Sequence, residues 1–295
     1  MEKEKDRIDE LGQSRMYVVF YSFFLLPLMI TVFGVMFFLI VKFLTFESED
    51  PYDLLNNIRF GSASKRWQSA YELSKILSDK ELIPDENSFK RMFVDAYKKS
   101  THDDYKVRMY LILAMGKTKD IYYGDMLLES LNDELLDIRL AAIHSLGQLQ
   151  YSGSVDRLSD FIRNSGYNEE VLASIISIGQ IGDKSALLLL REMLDNEEAN
   201  IRWDSAISLA KMGDDSGKII INNLLSREYY ENYNNVDKWE QDKAIMTALQ
   251  ISSQLIDPYF KKNLVALAKY DLNMKIRDVA IKILRTIYNV EISNG

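Results

Sequence analysis

Apolar positions recur along most of this chain at helical spacing, and the pattern itself repeats with a longer period near thirty residues. The clearest word is Ile138-Arg139-Leu140-Ala141-Ala142-Ile143-His144-Ser145-Leu146-Gly147. Arg139 has counterparts at Arg108 and Arg202, and Val171 holds the same place between Arg139 and Arg202. Seven residues after each comes a large apolar side chain, Met115, Leu146, Ile178 or Leu209, and then a small residue, Gly116, Gly147, Gly179 or Ala210. A fixed period of this length, built from helix-compatible words, predicts stacked helical hairpins.

With Arg139 as the reference position, seven repeats have reference residues at Arg66, Arg108, Arg139, Val171, Arg202, Asp242 and Arg277. Positions three, four and seven beyond each form one helical stripe, which predicts the core face of every second helix. That stripe includes Ser69, Ala70 and Leu73 in the first repeat, Ile245, Met246 and Leu249 in the sixth, and Ala280, Ile281 and Leu284 in the last. Gly182-Asp183 and Gly213-Asp214 mark turns between repeats. The spacing lengthens around Asp79 to Asn87 and again at Arg227-Glu228-Tyr229-Tyr230-Glu231-Asn232-Tyr233, where the tyrosines suit either a partner-facing loop or a long connection. The recurring arginines, each beside an apolar residue, suit a bridge from the second helix to carboxylates or carbonyls of the preceding turn.

Ahead of the repeats, residues 16–41 contain no charge. At 1.5 Å per residue this run exceeds a hydrocarbon core of about 30 Å and predicts one transmembrane helix rather than a cleaved leader, since no small-x-small site follows. The expected division is a polar tail over 1–15, a membrane anchor over 16–46 and a repeat array over 47–295. Pro27 is expected to kink the anchor, with Tyr17, Tyr21 and Lys42 at its boundaries. Lys3, Lys5, Arg7 and Arg15 precede the anchor, against Lys42 and Arg59 after it. The positive-inside rule then predicts an exported array held by a single pass, which in a bacterial inner membrane means the periplasmic side.

A second stripe, one and five residues beyond each reference position, is where a partner is expected. In order it carries Trp67 and Tyr71, Met109 and Leu113, Leu140 and His144, Leu172 and Ile176, and Trp203 and Ile207. The last two repeats turn polar there, with Lys243 and Thr247, then Asp278 and Lys282. These residues form either a groove or the packing between helix layers, and Trp67 and Trp203 are the strongest groove candidates.

Composition narrows the chemistry. The formal charge of -8 argues against a general nucleic-acid groove. The absence of Cys removes disulfides, thiolate nucleophiles and Cys-based zinc sites. His102 and His144 are the only histidines and have no metal-ligand spacing, and no Gly-rich phosphate loop or nucleophile elbow is present. The chain is therefore expected to be no enzyme and to hold no cofactor or metal.

The words Ile138-Arg139-x-Ala141-Ala142-x-x-x-Leu146-Gly147 and Ile178-Gly179-Gln180-Ile181-Gly182-Asp183 resemble the bacterial HEAT-like repeats of the phycobilisome-lyase type, here carried on a single N-terminal membrane anchor. The resemblance implies an all-α chain: an α-solenoid of about seven HEAT-like helical hairpins preceded by one transmembrane helix. It implies a protein-binding scaffold, with lyase activity confined to particular lineages. The leading expectation is a membrane-anchored adaptor for a protein partner, with a membrane complex among the options. The alternative is a carrier or chaperone-like module for a lipid or apolar peptide.

Overall fold

The computed structural model describes residues 20–44, 50–234 and 236–292, the side chains of 42–44 excepted. They fall into two units divided between Asp50 and Pro51. The expected tail over 1–15 lies outside the described residues, as do 16–19 and 45–46 of the expected anchor.

The first unit is helical. A widened π-helical turn, Tyr21–Leu25, runs into α1, Leu26–Leu44, with the Leu26 N–H bonded to the Tyr21 carbonyl. Pro27 explains the widening: it has no N–H to donate, and its ring clashes with a carbonyl one α-helical turn back. The segment Tyr21–Val41 has a mean hydropathy of 2.7 with none of it buried, and it is long and apolar enough to cross a membrane by length and composition.

The second unit is all-α and contains seven successive hairpins among the described residues. Their first helices are α2 (Pro51–Phe60), α4 (Asn87–Lys99), α6 (Gly124–Glu129), α8 (Val155–Asn164), α10 (Leu187–Glu192), α12 (Lys218–Leu224) and α14 (Lys261–Tyr270). Their second helices are α3 (Ala63–Ile76), α5 (Tyr105–Thr118), α7 (Leu136–Leu149), α9 (Asn168–Ile181), α11 (Ala199–Lys211), α13 (Lys238–Leu255) and α15 (Met274–Tyr288). Each second helix packs on the next, giving a continuous layer from α3 to α15. This is the repeating packing of an α-solenoid.

The expected core stripe is buried through the first five second helices, from Ser69, Ala70 and Leu73 to Ser205, Ala206 and Leu209. It departs at Met246, which is 36% exposed, and at Ile281, which is half-buried. In α13 the buried side chains are Ile245, Ala248, Leu249, Ile251 and Ser252, so the stripe is rotated around the helix and Met246 turns outward. Ile281 belongs to the terminal hairpin, where no further described hairpin covers it.

The layer is held by a small-residue contact repeated three times. The Ser145 hydroxyl donates to the Ile112 carbonyl at 3.0 Å, Ser177 to Ile143 at 2.9 Å and Ser208 to Ile175 at 3.0 Å. Each serine also sits where a side chain on the facing glycine of the preceding helix would be. A Cβ on Gly116 would lie 2.7 Å from the Ser145 side chain, one on Gly147 2.7 Å from Ser177, and one on Gly179 2.4 Å from Ser208. Ala114 and Ala248 take the serine's place in the second and sixth second helices.

Arg139 and Arg202 hold the preceding turn as expected, and Arg66, Arg108 and Arg139 also reach a carboxylate of the next repeat, which their setting does not indicate. Arg139 donates to the carbonyls of Asp133 at 2.9 Å and Glu134 at 3.0 Å and pairs with buried Glu170 of the next repeat. Arg202 donates to the carbonyls of Asn196 and Glu197, at 2.7 and 2.8 Å. Arg66 pairs with Asp103 at 2.6 Å and Arg108 with Asp133 at 2.9 Å, again one repeat on. At Asp242 the polarity is reversed. Arg227, from the long connection, pairs with Asp242 and also holds buried Asp271 at 2.8 Å.

The Gly116 contact includes the Ser145 backbone at 2.8 Å, so the neighbour cannot yield by rotating a side chain. Gly116→Val is expected to cost about 2 kcal/mol or more in urea unfolding. Gly166→Ala, with nothing within 4 Å of the added atom, is expected to change stability by less than about 0.5 kcal/mol.

Candidate functional site

A helix turns 100° per residue, so burial of one stripe dictates what remains open. Counted from each reference residue, positions three, four and seven face the first helices. Positions six and eight carry the serine and glycine that touch neighbouring second helices. Positions two, five and nine are left for the open face, except at Ala141 and at Ile251 of the rotated α13, which are buried, and position one falls at the seam between adjacent second helices.

The candidate residues divide along that line. At position one, Trp67, Met109, Leu140 and Leu172 are half-buried and Trp203 is only 7% exposed. At position five, Tyr71 and His144 are exposed, while Leu113, Ile176 and Ile207 are half-buried. Trp67 has the Lys106 ammonium 6.0 Å from its ring centre, and Tyr71 packs edge-on against Tyr110 at 5.2 Å. The ten share one side of the second-helix layer but do not converge on one pocket; Ile176, Trp203 and Ile207 do.

Trp203 anchors an aromatic cluster. Its indole Nε1–H donates to the Tyr229 hydroxyl at 3.1 Å, and the rings of Tyr229, Tyr230 and Tyr233 lie 5.1–6.2 Å from it. Tyr230 is buried and donates to the Leu224 carbonyl at 3.0 Å, while Tyr233 accepts from Arg202 at 3.1 Å. The tyrosine-rich connection thus folds inward, as the 3₁₀ segment Arg227–Asn232, instead of offering its rings to a partner.

Beside this cluster, a cavity of about 410 Å³ opens between α11 and α13. Trp203 and Ile207 supply apolar wall, Asp204 and Lys211 supply charge, and Trp239 stands at the rim 69% exposed. The Lys243 ammonium lies 5.3 Å from the Trp239 ring centre. Asp204 and Lys211 occupy positions two and nine, and extending the helical wheel by those positions finds them. Trp239 sits outside the repeated word; its signal is a large ring in a polar first turn, closed by a capping box of Asp237 and Glu240. A second cavity of about 560 Å³ follows between α13 and α15, sharing Lys243 and Thr247 with the first.

Burial pushes the Asp204 carboxyl up to about 6, with Lys211 and Lys243 opposing the shift. His102 is exposed in a 3₁₀ turn and His144 is exposed on α7, and among the described residues no three acidic or histidine side chains are grouped to hold a metal ion.

No family profile matches the chain, and no curated protein is similar to it. Solved structures do match. The complex of CpcE and CpcF of phycocyanin lyase from Nostoc superposes with a TM-score of 0.56 at 17% identity, covering 85% of this chain and 94% of that one. Human deoxyhypusine hydroxylase covers 81% of this chain at a TM-score of 0.35 and 15% identity, and a designed armadillo repeat protein covers 81% at 0.37 and 15%. The first likeness shows the fold, an α-solenoid of the HEAT-like type. It also corrects the expectation that the chain is no enzyme. An array of this fold belongs to a lyase complex, so the absence of nucleophile and phosphate-loop motifs does not exclude catalysis.

Two outcomes are expected. Trp203→Ala, which removes a buried ring and its hydrogen bond, should cost about 3–5 kcal/mol in chemical unfolding. Asp204 binds its proton more tightly when folded than at the ordinary value of 3.8, so its contribution is full below about pH 4 and is lost as pH rises through about 6. Asp204→Asn should remove that part of the stability–pH profile and raise stability at pH 7 by on the order of 1 kcal/mol.

Proposed function

We propose that this protein is a single-pass, membrane-anchored scaffold that holds a protein partner, such as a membrane complex, on the open face of its second helices. The division proposed is a tail over 1–15, an anchor over 16–46 and an array over 47–295. The location proposed is the bacterial inner membrane, with the array on the periplasmic side. The apolar helical segment Tyr21–Val41, none of it buried, supports the anchor, and the excess of Lys and Arg ahead of it supports export.

The observation that carries the binding role is the run of two open cavities from α11 to α15, with Trp239 exposed at the rim. A tryptophan left in water beside a groove contributes strongly to an interface once it is desolvated. The charged rims and open shape favour a protein contact over a sheltered lipid tail.

Photo-crosslinking amino acids at Ile207 and Trp239, in cells, test this reading against the same group at Leu188 on α10, which is 68% exposed. A discrete crosslinked partner from the first two positions and none from the third is expected. Crosslinks from Leu188 alone, or from none of the three, contradict it.

A further inference from the structure

The cavity between α13 and α15 has a chemistry of its own. From α13 it is lined by Lys243, Met246, Thr247, Gln250 and Ser253, which recur at helical spacing and form one stripe. From α15 it is lined by Val279, Lys282, Ile283, Thr286 and Ile287, a second stripe. Each stripe follows its helix for about 12–15 Å, so the cavity is a trough between two helices rather than a round pocket. Met246, Val279 and Ile287 give it an apolar bed. Lys243 and Lys282 are both exposed, and no carboxylate is among the lining residues.

The setting carries the same sign. The chain as a whole has a formal charge of -8, yet residues 258–288 contain seven Lys and Arg against two Asp. One of those two, Asp271, is buried against Arg227. The other, Asp278, lies on α15 one turn before Lys282 but outside the lining, and Asp204 and Glu240 belong to the neighbouring cavity. The terminal hairpin is thus a basic end on an acidic molecule.

We propose that this trough docks a short amphipathic helix of a partner protein, with acidic residues beside its apolar stripe. Its apolar residues cover Met246, Val279 and Ile287, and its carboxylates reach Lys243 and Lys282. A helix about three turns long matches the trough in length, and helix-in-groove recognition uses this combination of apolar anchors and rim charge. An anionic bilayer shares the charge but is a plane, and cannot enter a trough walled by two helices. The inference rests on the scaffold reading and names the chemistry of its partner.

The test uses the full chain in nanodiscs of zwitterionic lipid and two synthetic helices of about fifteen residues. Both carry the same leucine stripe, one flanked by Glu and the other by Lys. The Glu peptide is expected to bind, more weakly as salt rises, and the Lys peptide not to bind. Lys243→Glu with Lys282→Glu should weaken the Glu peptide by about tenfold or more and confer binding of the Lys peptide, which also reports that the groove is intact. Equal binding of both peptides overturns the proposal, as does Glu-peptide binding unchanged by the double reversal. Lysines masked by phosphatidylglycerol discs, with neither peptide bound, overturn it in favour of lipid. Peptide failure alongside discrete crosslinks from Ile207 and Trp239 removes the acidic helix and leaves the scaffold. Charge-reversible peptide binding without those crosslinks supports the acidic-helix groove and removes the scaffold.

Discussion

From α5 to α11 the separation between successive second helices is set by one contact, a serine hydroxyl seated on a glycine of the preceding helix and bonded to a carbonyl there. Two consequences follow from it. The hydroxyl satisfies itself in a dry layer where an unpaired polar group is costly, and the missing Cβ lets the helix axes approach. Once that spacing is fixed, the large residue at position seven has a layer of defined thickness to fill, and most side chains at two, five and nine turn to the open face. The face a partner meets is therefore a by-product of how the layer packs. Where the serine gives way to Ala248 in α13, the helix is also rotated, and the open cavities lie on either side of that helix.

Charge secures the hairpin turns in parallel. Arg139 holds its own preceding turn by carbonyls and the next repeat by Glu170, so one side chain links two successive hairpins. Its guanidinium is suited to this because five donors in a planar fork can serve carbonyls and a carboxylate together. The sixth repeat keeps the link with inverted parts: an acid in the helix and an arginine in the connection. Burial would raise Asp242, but its hydrogen bonds from Arg227 and Asn273 hold it below the ordinary carboxylate value.

Most of this was legible from residue spacing, and the exceptions have physical causes. The seven second helices follow from apolar recurrence, and the hold of Arg139, Arg202 and Arg277 on the preceding turn follows from their place beside Ile138, Ile201 and Ile276, whereas the reach to the next repeat's carboxylates does not. The serine contact was missed because a serine at position six reads as solvent-facing until its partner, some thirty residues earlier, is brought against it. Met246 was misplaced because position four belongs to the core in the first five repeats, and the rotation of α13 has no local sign. Tyr229, Tyr230 and Tyr233 suit a partner-facing loop or a long connection equally by spacing, and only the fold shows them packed on Trp203. Of the ten candidate residues, Tyr71 and His144 at position five are exposed, whereas the seam between helices partly covers position one and buries Trp203. Asp204, Lys211 and Trp239 lie beyond the two positions considered.

The open face between α11 and α15 either is covered in the cell or is not, and carbene footprinting measures that without knowing the partner. The full chain is labelled in native membranes and again after purification in mild detergent. Labelling of Trp239 and Met246 should be lower in the native membranes, while Leu188 and Ile219, on the first helices, label equally in both. Equal labelling of Trp239 and Met246 in the two states, or protection confined to Leu188 and Ile219, would contradict a partner on this face.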